Sequence, residues 1–276
     1  MCQMLDVSRS GYHQWVKHKP TATQQWQQEL KVLIRNIHLE HAGRYGAPRI
    51  TAELKGMGVA CNRKTVARIM KQQQIRAIMA RGFVPRTTDS NHDLAIAPNV
   101  LRQDFSASAP NQKWVADITY VATAQGWLYL AAVKDLYSRK IVGWSMADHM
   151  RAELVCDALT MAIGQECPGP ELIHHSDRGV QYACGQFRQT LQRHRIACSM
   201  SRKGNCYDNA SMESFWATYK QELAYPADFQ HKTKEQVKLA TFKYIELYYN
   251  RQRRHSALGY MSPQQYHQPS TCGRAA

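Results

Sequence analysis

The sequence predicts an α/β fold in which a mixed five-stranded sheet, flanked by helices, follows an α-helical N-terminal region. Three features carry that expectation. Apolar residues recur at helical spacing early in the chain, and β-type segments begin at residue 113. From there the order reads βββαβαβα. Three consecutive strands with short connections make an antiparallel meander, and the alternation after it indicates a mixed sheet. Charge divides the chain in the same places. Residues 1–103 hold 16 basic and 6 acidic side chains, residues 104–224 hold 12 of each, and residues 225–276 hold 8 and 3.

In residues 24–41, apolar side chains at 26, 30, 33, 34 and 37 share one helical face. Pro48 can begin a second helix that runs through Ile50 and Leu54, and Gly56 and Gly58 end it in a tight turn. Asn62 is a fitting N-cap for a third helix, with Val66, Ile69 and Met70 inward. Two short helices joined by a glycine-containing turn read as helix-turn-helix. The third helix offers Arg63, Lys64, Arg68 and Lys71 to phosphates and base edges. Earlier still, LDVSRSGYHQW resembles the second half of another such motif, with Ser8 or Ser10 as cap and Tyr12 and Trp15 as packing residues. Its front half is expected in a longer functional unit.

These features divide the chain into a helix-turn-helix region (1–80), a proline-containing linker (81–103), an α/β core (104–224) and a basic C-terminal helix and tail (225–276). Within the core, strands are expected over 113–123, 127–135, 138–147, 171–177 and 195–201. Helices are expected over 151–165, 184–194 and 210–223, and a long one over 232–250. Trp114, Trp144 and Trp216 are expected in the core.

The formal net charge of +15 points to a polyanionic partner. A neutral middle between basic flanks suits a catalytic core held on nucleic acid by its neighbours. The longest apolar run, Trp127 to Val133, is far short of the roughly 20 residues a membrane span needs. No secretory signal is visible, so a soluble, cytoplasmic protein is expected. The eight cysteines show neither Cys-x-x-Cys nor zinc-finger spacing and read as reduced thiols.

Three acids stand out by placement. Asp117 lies mid-strand in WVADITYV, Asp177 at a strand end in HHSDRGVQY, and Glu213 on the helix of NASMESFWATYKQEL. A carboxylate in a buried strand wants a cation or a hydrogen-bonding partner, because desolvation is costly. Three gathered carboxylates repel unless divalent cations neutralise them, and an all-oxygen donor set favours Mg²⁺ or Mn²⁺. A pair of such ions suits displacement at phosphorus.

With 35 residues between Asp177 and Glu213, this trio resembles the catalytic triad of the retroviral-integrase superfamily. More closely, the chain resembles bacterial insertion-sequence transposases of family three, the product of the second reading frame. The matching stretches are WVADITYV, GWLYLAAVKDLYSRKIVGWSM, HHSDRGVQY, SRKGNCYDNASMESFW, YYNRQRRHSALGYMSP and the GRYGAPRI…RKTVARIM segment, over residues 20–265. The resemblance implies an RNase H-like core and Asp117, Asp177 and Glu213 as catalytic and metal-binding residues for Mg²⁺ or Mn²⁺. It implies hydrolytic nicking and strand transfer without a covalent protein–DNA intermediate. It also implies double-stranded DNA (element ends and target) as partner, a first-frame protein or fusion with it, and a homo-oligomer in the synaptic complex.

Other residues carry weaker signals. Lys220, seven positions after Glu213, falls on the same helical face, where similar integrases place a basic residue at the DNA end. Asp208 and Asn209 read as caps of the Glu213 helix, and Asp135 as a turn residue. His174, His175 and Arg178 flank Asp177 and suit hydrogen bonding around it. Arg251, Arg253, Arg254 and His255 form a basic cluster suited to gripping DNA backbone. Two other readings share most of these features: a DNA-binding regulator with an inactive core, and a plain RNase H-like nuclease.

Overall fold

The computed structural model describes residues 2, 4–17, 19–78 and 94–267. The chain divides into two compact units, residues 1–78 and 79–276.

In the first unit, α1 (Arg9–Val16) starts at Ser8, whose hydroxyl accepts the Gly11 N–H. The expected packing residues Tyr12 and Trp15 are instead exposed there. Helix α2 (Ala22–Glu40) opens with a capping box, in which Thr21 and Gln24 each satisfy the other's backbone N–H. Its inner face, Leu30, Ile34 and Ile37, is fully buried, as are Ile50 and Leu54 of α3 (Ala47–Gly56) and Val66 and Ile69 of α4 (Arg63–Gln72). Asn62 caps α4 by accepting the Thr65 N–H at 2.8 Å. Arg63, Lys64, Arg68 and Lys71 all lie on the exposed side of α4.

The second unit is built on five strands: β1 (Lys113–Thr123), β2 (Gly126–Asp135), β3 (Ile141–Ala147), β4 (Ile173–Ser176) and β5 (Ala197–Met200). Their spatial order is β3-β2-β1-β4-β5. The first three pair antiparallel, while β4 and β5 join parallel to β1, which gives the expected mixed sheet. Gly126, at φ +92°, makes the β1–β2 turn. The third strand is shorter than expected because Asp135 ties the preceding turn, accepting the Ser138 backbone N–H at 2.8 Å and its hydroxyl at 2.6 Å.

Helices cover both faces of the sheet. Trp114, Ala116 and Ile118 point to one face and share a core with Leu154, Val155, Ala158, Leu159 and Ala162 of α5 (Ala152–Glu166) and with Phe187 and Leu191 of α7 (Gly185–Arg193). Gly143 lets α5 lie directly on β3: a Cβ there would stand 2.2 Å from the Ala158 carbonyl oxygen. A short helix that the periodicity missed, α6 (Val180–Ala183), follows β4. The other face receives α8 (Ala210–Tyr219), which widens into π-helical turns over Lys220–Ala224. Helix α9 (Lys234–Phe242) widens likewise over Lys243–Tyr249. Phe215 and Tyr219 meet Tyr249 and Tyr244 there, with ring centroids 5.0 and 5.8 Å apart. A last short helix, α10 (Pro263–His267), returns to the sheet, where His267 bonds Glu166 at 2.8 Å and Ser138 at 3.0 Å.

Part of the expected linker, 81–93, lies outside the described residues. Its remainder is fastened to the second unit, since the Val100 and Leu101 N–H groups both donate to the Ser199 hydroxyl on β5. No helix among the described residues is long and apolar enough to cross a membrane. Six cysteines within them are free thiols.

Candidate active site

The sheet register decides where the acids meet. Strand β4 pairs with β1 only from Lys113 to Val115, with Val115 opposite His175. Carried on by two residues, the same register sets position 117 level with position 177, just where the ladder stops. Strand β4 ends at Ser176 while β1 runs on to Thr123, so Asp177 follows the carboxyl end of β4 beside the stretch of β1 that carries Asp117. Asp177 is fixed by the Gly179 N–H, which donates to its Oδ1 at 2.9 Å.

Asp117 is half-buried and points toward α8, whose Trp216 donates its indole N–H to Oδ2 at 3.0 Å. Burial pushes the Asp117 carboxyl well above the usual carboxylate range, and the like charges of Asp177 and, more weakly, Glu213 push it further. The Ile118 N–H and the Trp216 indole pull the other way without prevailing. Glu213, in the first turn of α8, is exposed at its tip but desolvated enough to be raised as well. Asp117 thus feels both of the other acids. Among the described residues, however, no group of three His, Cys, Asp or Glu side chains is placed to hold one metal ion. The donors fit a hard divalent cation chemically. Asp117 and Asp177 offer only oxygen, and their mutual repulsion is what such a charge relieves.

Lys220 follows Glu213 by seven residues of α-helix, its own N–H still donating to the Trp216 carbonyl, and the π winding begins only from there on. Its side chain is buried, with Nζ 5.5 Å from the Tyr120 ring centroid. Burial lowers its pKa while Asp117 favours its charge.

The C-terminal basic cluster is dispersed by packing. Arg253 is buried, not presented to solvent, and its guanidinium grips Glu222 through Nε and Nη2, each at 2.8 Å. His255 is buried beside it, and Arg254 donates to the Tyr260 carbonyl at 3.0 Å, leaving Arg251 as the exposed member. Asn209 holds the N-cap position of α8 as expected, but its side chain makes no capping bond, and Asp208 is engaged elsewhere. Asp208 takes bonds from Asn99, Gln103 and the Arg202 guanidinium, and Asn209 donates to the Ala116 carbonyl at 3.3 Å. His175 bonds Ser199 and Ser201, while both ring nitrogens of buried His174 lack a hydrogen-bond partner among the described residues. Arg178 donates to the Ser201 carbonyl.

Sequence reasoning placed Trp216 in the core but missed its bond to Asp117, because nothing in spacing marks an indole as a carboxylate's partner. Tyr182 was missed entirely. Its buried hydroxyl, without a hydrogen-bond partner among the described residues, lies within the electrostatic reach of Asp117 and Asp177. Trp144, expected in the core, is half-exposed and donates to Glu246 at 2.8 Å.

Residues 107–206 match the family described as "Integrase core domain", and a second family of that description matches residues 194–263. Residues 25–83 match "HTH-like domain". A transposase, InsF for insertion sequence IS3A of Escherichia coli K12, is 44% identical over 96% of this chain and 92% of its own. The chain belongs to the IS3 family of transposases. Another relative of this transposase chain, the insertion element IS600 uncharacterized 31 kDa protein of Shigella sonnei, is 46% identical over 97% of this chain and 99% of its own. A solved structure, the simian T-cell lymphotropic virus intasome in complex with a PP2A regulatory subunit, aligns with a TM-score of 0.51 at 14% identity. It covers 86% of the transposase chain and 76% of the viral one. At that identity the likeness speaks for the integrase-like fold alone.

Proposed function

We propose that this family member cuts and joins DNA at the Asp117, Asp177 and Glu213 carboxylates. The observation that supports the reading is the β1–β4 register, which, carried two residues past Val115–His175, would set Asp117 beside Asp177. Asp117 and Asp177 would hold Mg²⁺ or Mn²⁺, probed best as two ions, with Glu213 as the third carboxylate. Such a pair, when bound, activates an attacking oxygen and stabilises a leaving one. The protein's own contribution is placement. Trp216 fixes one Asp117 oxygen, and the Gly179 N–H fixes one Asp177 oxygen. Water adds to phosphorus as the P–O3′ bond breaks, which leaves a 3′-hydroxyl and a 5′-phosphate. That hydroxyl attacks a second phosphodiester, whose 3′-oxygen leaves in turn. No serine or tyrosine adduct forms.

The helix-turn-helix unit would recognise the terminal inverted repeats through Arg63, Lys64, Arg68 and Lys71, exposed together on α4. Lys220 and Arg251 are proposed as further DNA contacts, and Arg254 as a contact made through its partly exposed side. Synapsis of two ends calls for a homo-oligomer, and a first-frame protein, separate or fused, is a further proposed partner. The site of action is the cytoplasm, at the nucleoid.

The test is a strand-transfer assay on labelled terminal-repeat DNA with Mg²⁺ or Mn²⁺. Asp117→Asn, Asp177→Asn and Glu213→Gln are each expected to abolish cleavage and joining while sparing DNA binding. Wild-type joining by any of them would end the assignment of that residue.

A further inference from the structure

The β1–β2 hairpin carries an aromatic patch that the triad chemistry does not use. Trp127 is a large apolar side chain left 53% exposed. Its ring meets Tyr120 edge-on at 4.9 Å, and Tyr120 meets Tyr129 at 6.4 Å. The Lys220 ammonium stands 5.5 Å from the Tyr120 centroid on the way to Asp117. The turn is held rigidly. The Thr123 hydroxyl bonds the Gly126 carbonyl, the Ala124 N–H bonds the Lys232 carbonyl, and the Lys234 N–H bonds Gln125 Oε1. Those last two bonds bring the backbone of Lys232 and Lys234 to the hairpin. Lys234 has one weak counter-charge, Asp148, at 3.8 Å. Solvent-facing rings bordered by cations suit an anion with a flat face.

Position narrows the occupant. Trp127 pairs with Ala122, five residues along β1 from Asp117, which is about 16 Å at 3.3 Å per residue. That is the reach of a few extended nucleotides. The odd offset sets the two side chains on opposite faces of the sheet, so a strand joining them passes over the stretch of β1 that β4 leaves unpaired beyond Val115. That stretch is bordered by Lys220, which touches the Tyr120 ring and feels Asp117. A base inside a duplex has its faces covered by its neighbours, so an exposed indole gains a stacking partner only from an unpaired base.

We propose that this hairpin is a stacking platform for an unpaired DNA base a few nucleotides from the bond cut at Asp117 and Asp177. Trp127 and Tyr120 supply the rings, and Lys232 and Lys234 contact the adjoining phosphates. The platform rests on the reading of the site as DNA-cleaving, and it adds that the bound end is locally single-stranded.

The experiment compares the full chain's affinity for a blunt DNA duplex and for the same duplex with a three-nucleotide overhang. Wild type is expected to prefer the overhang by about tenfold, the scale of one stacked base. Trp127→Ala is expected to erase the preference with blunt-duplex affinity unchanged, and Trp127→Phe to keep most of it. Replacing Lys232 and Lys234 together by Ala is expected to weaken overhang binding and flatten its salt dependence. The platform is overturned if wild type shows no preference, if Trp127→Ala retains it, or if that variant loses both duplexes equally. It is also overturned if Trp127→Ala changes only the protein's sedimentation, because the patch would then be a contact between copies. If Trp127 governs overhang binding while joining proves independent of Asp117, the platform stands and the reading of the site falls.

Discussion

The Trp216 indole N–H donates to Asp117 Oδ2 at 3.0 Å, so the helix that carries Glu213 also holds the mid-strand aspartate. One turn of α8 separates the two functions: Glu213 lends a charge, and Trp216, three residues on, fixes the orientation of another. The Trp216 indole thereby commits the Asp117 Oδ2 atom to the protein.

Trp216→Phe keeps the ring and removes the donor. A hydrogen bond to a charged group is worth about 1.5–3 kcal/mol, so Mn²⁺ affinity is expected to fall about tenfold. Because that bond favours the ionised carboxyl, its loss also moves the pH midpoint of metal binding upward. Calorimetric Mn²⁺ titrations across pH read both effects, and an unshifted midpoint would remove the positioning role.

Asp117 costs the metal-free protein stability. Its folded-state pKa is raised, so the unfolded chain gives up the proton first, and stability falls as pH climbs from the unfolded value toward the folded one. Asp117→Asn is therefore expected to raise Tm near neutral pH without divalent cations, with little gain at pH 3. Adding Mg²⁺ should shrink the advantage by stabilising the wild type alone. Thermal melts at the two pH values check the sign.

Arg253 and Glu222 act as a pair inside the helical layer, joined by the Tyr244 hydroxyl at 2.9 Å from Glu222. Glu222→Gln leaves a buried guanidinium without its counter-charge and is expected to cost about 3–5 kcal/mol. Replacing both residues by Leu should recover much of that loss, because two uncharged side chains carry no desolvation penalty. Urea unfolding of the single and double variants measures it. Equal losses in both would mean that packing, and not charge, is what matters there.

Arg63, Lys64, Arg68 and Lys71 are expected to contribute through phosphates or base edges. Each phosphate contact replaced by Ala should lower the slope of log affinity against log salt by about 1, while a base contact should relax sequence preference at one position. Affinities for terminal-repeat and unrelated duplexes at several salt concentrations distinguish the two. A variant that changes neither quantity would be off the interface.

Much of this molecule is legible from residues alone, for reasons of local physics. Asn62 caps α4 because a short polar side chain can turn back on the first free N–H groups, and Pro48 starts α3 because it lacks a donor there. Alternation exposed β1, and the placement of Asp117 in an apolar strand flagged it as needing a partner. The errors fell where distant segments meet. Arg253, Arg254 and His255 look like a surface run, yet the fold turns Arg253 inward onto Glu222, 31 positions away. Lys220 reads from its spacing as a surface contact, yet packing buries its side chain against the Tyr120 ring.

By itself, the sequence determined the order of the main elements, the three-part distribution of charge and the choice of three acids as candidates, since each depends on residue type and near-neighbour spacing. Only the tertiary structure decided which of those charges remain at the surface and how Asp117 is held. Desolvation and hydrogen bonding depend on what packs against a side chain, and the chain order does not state that.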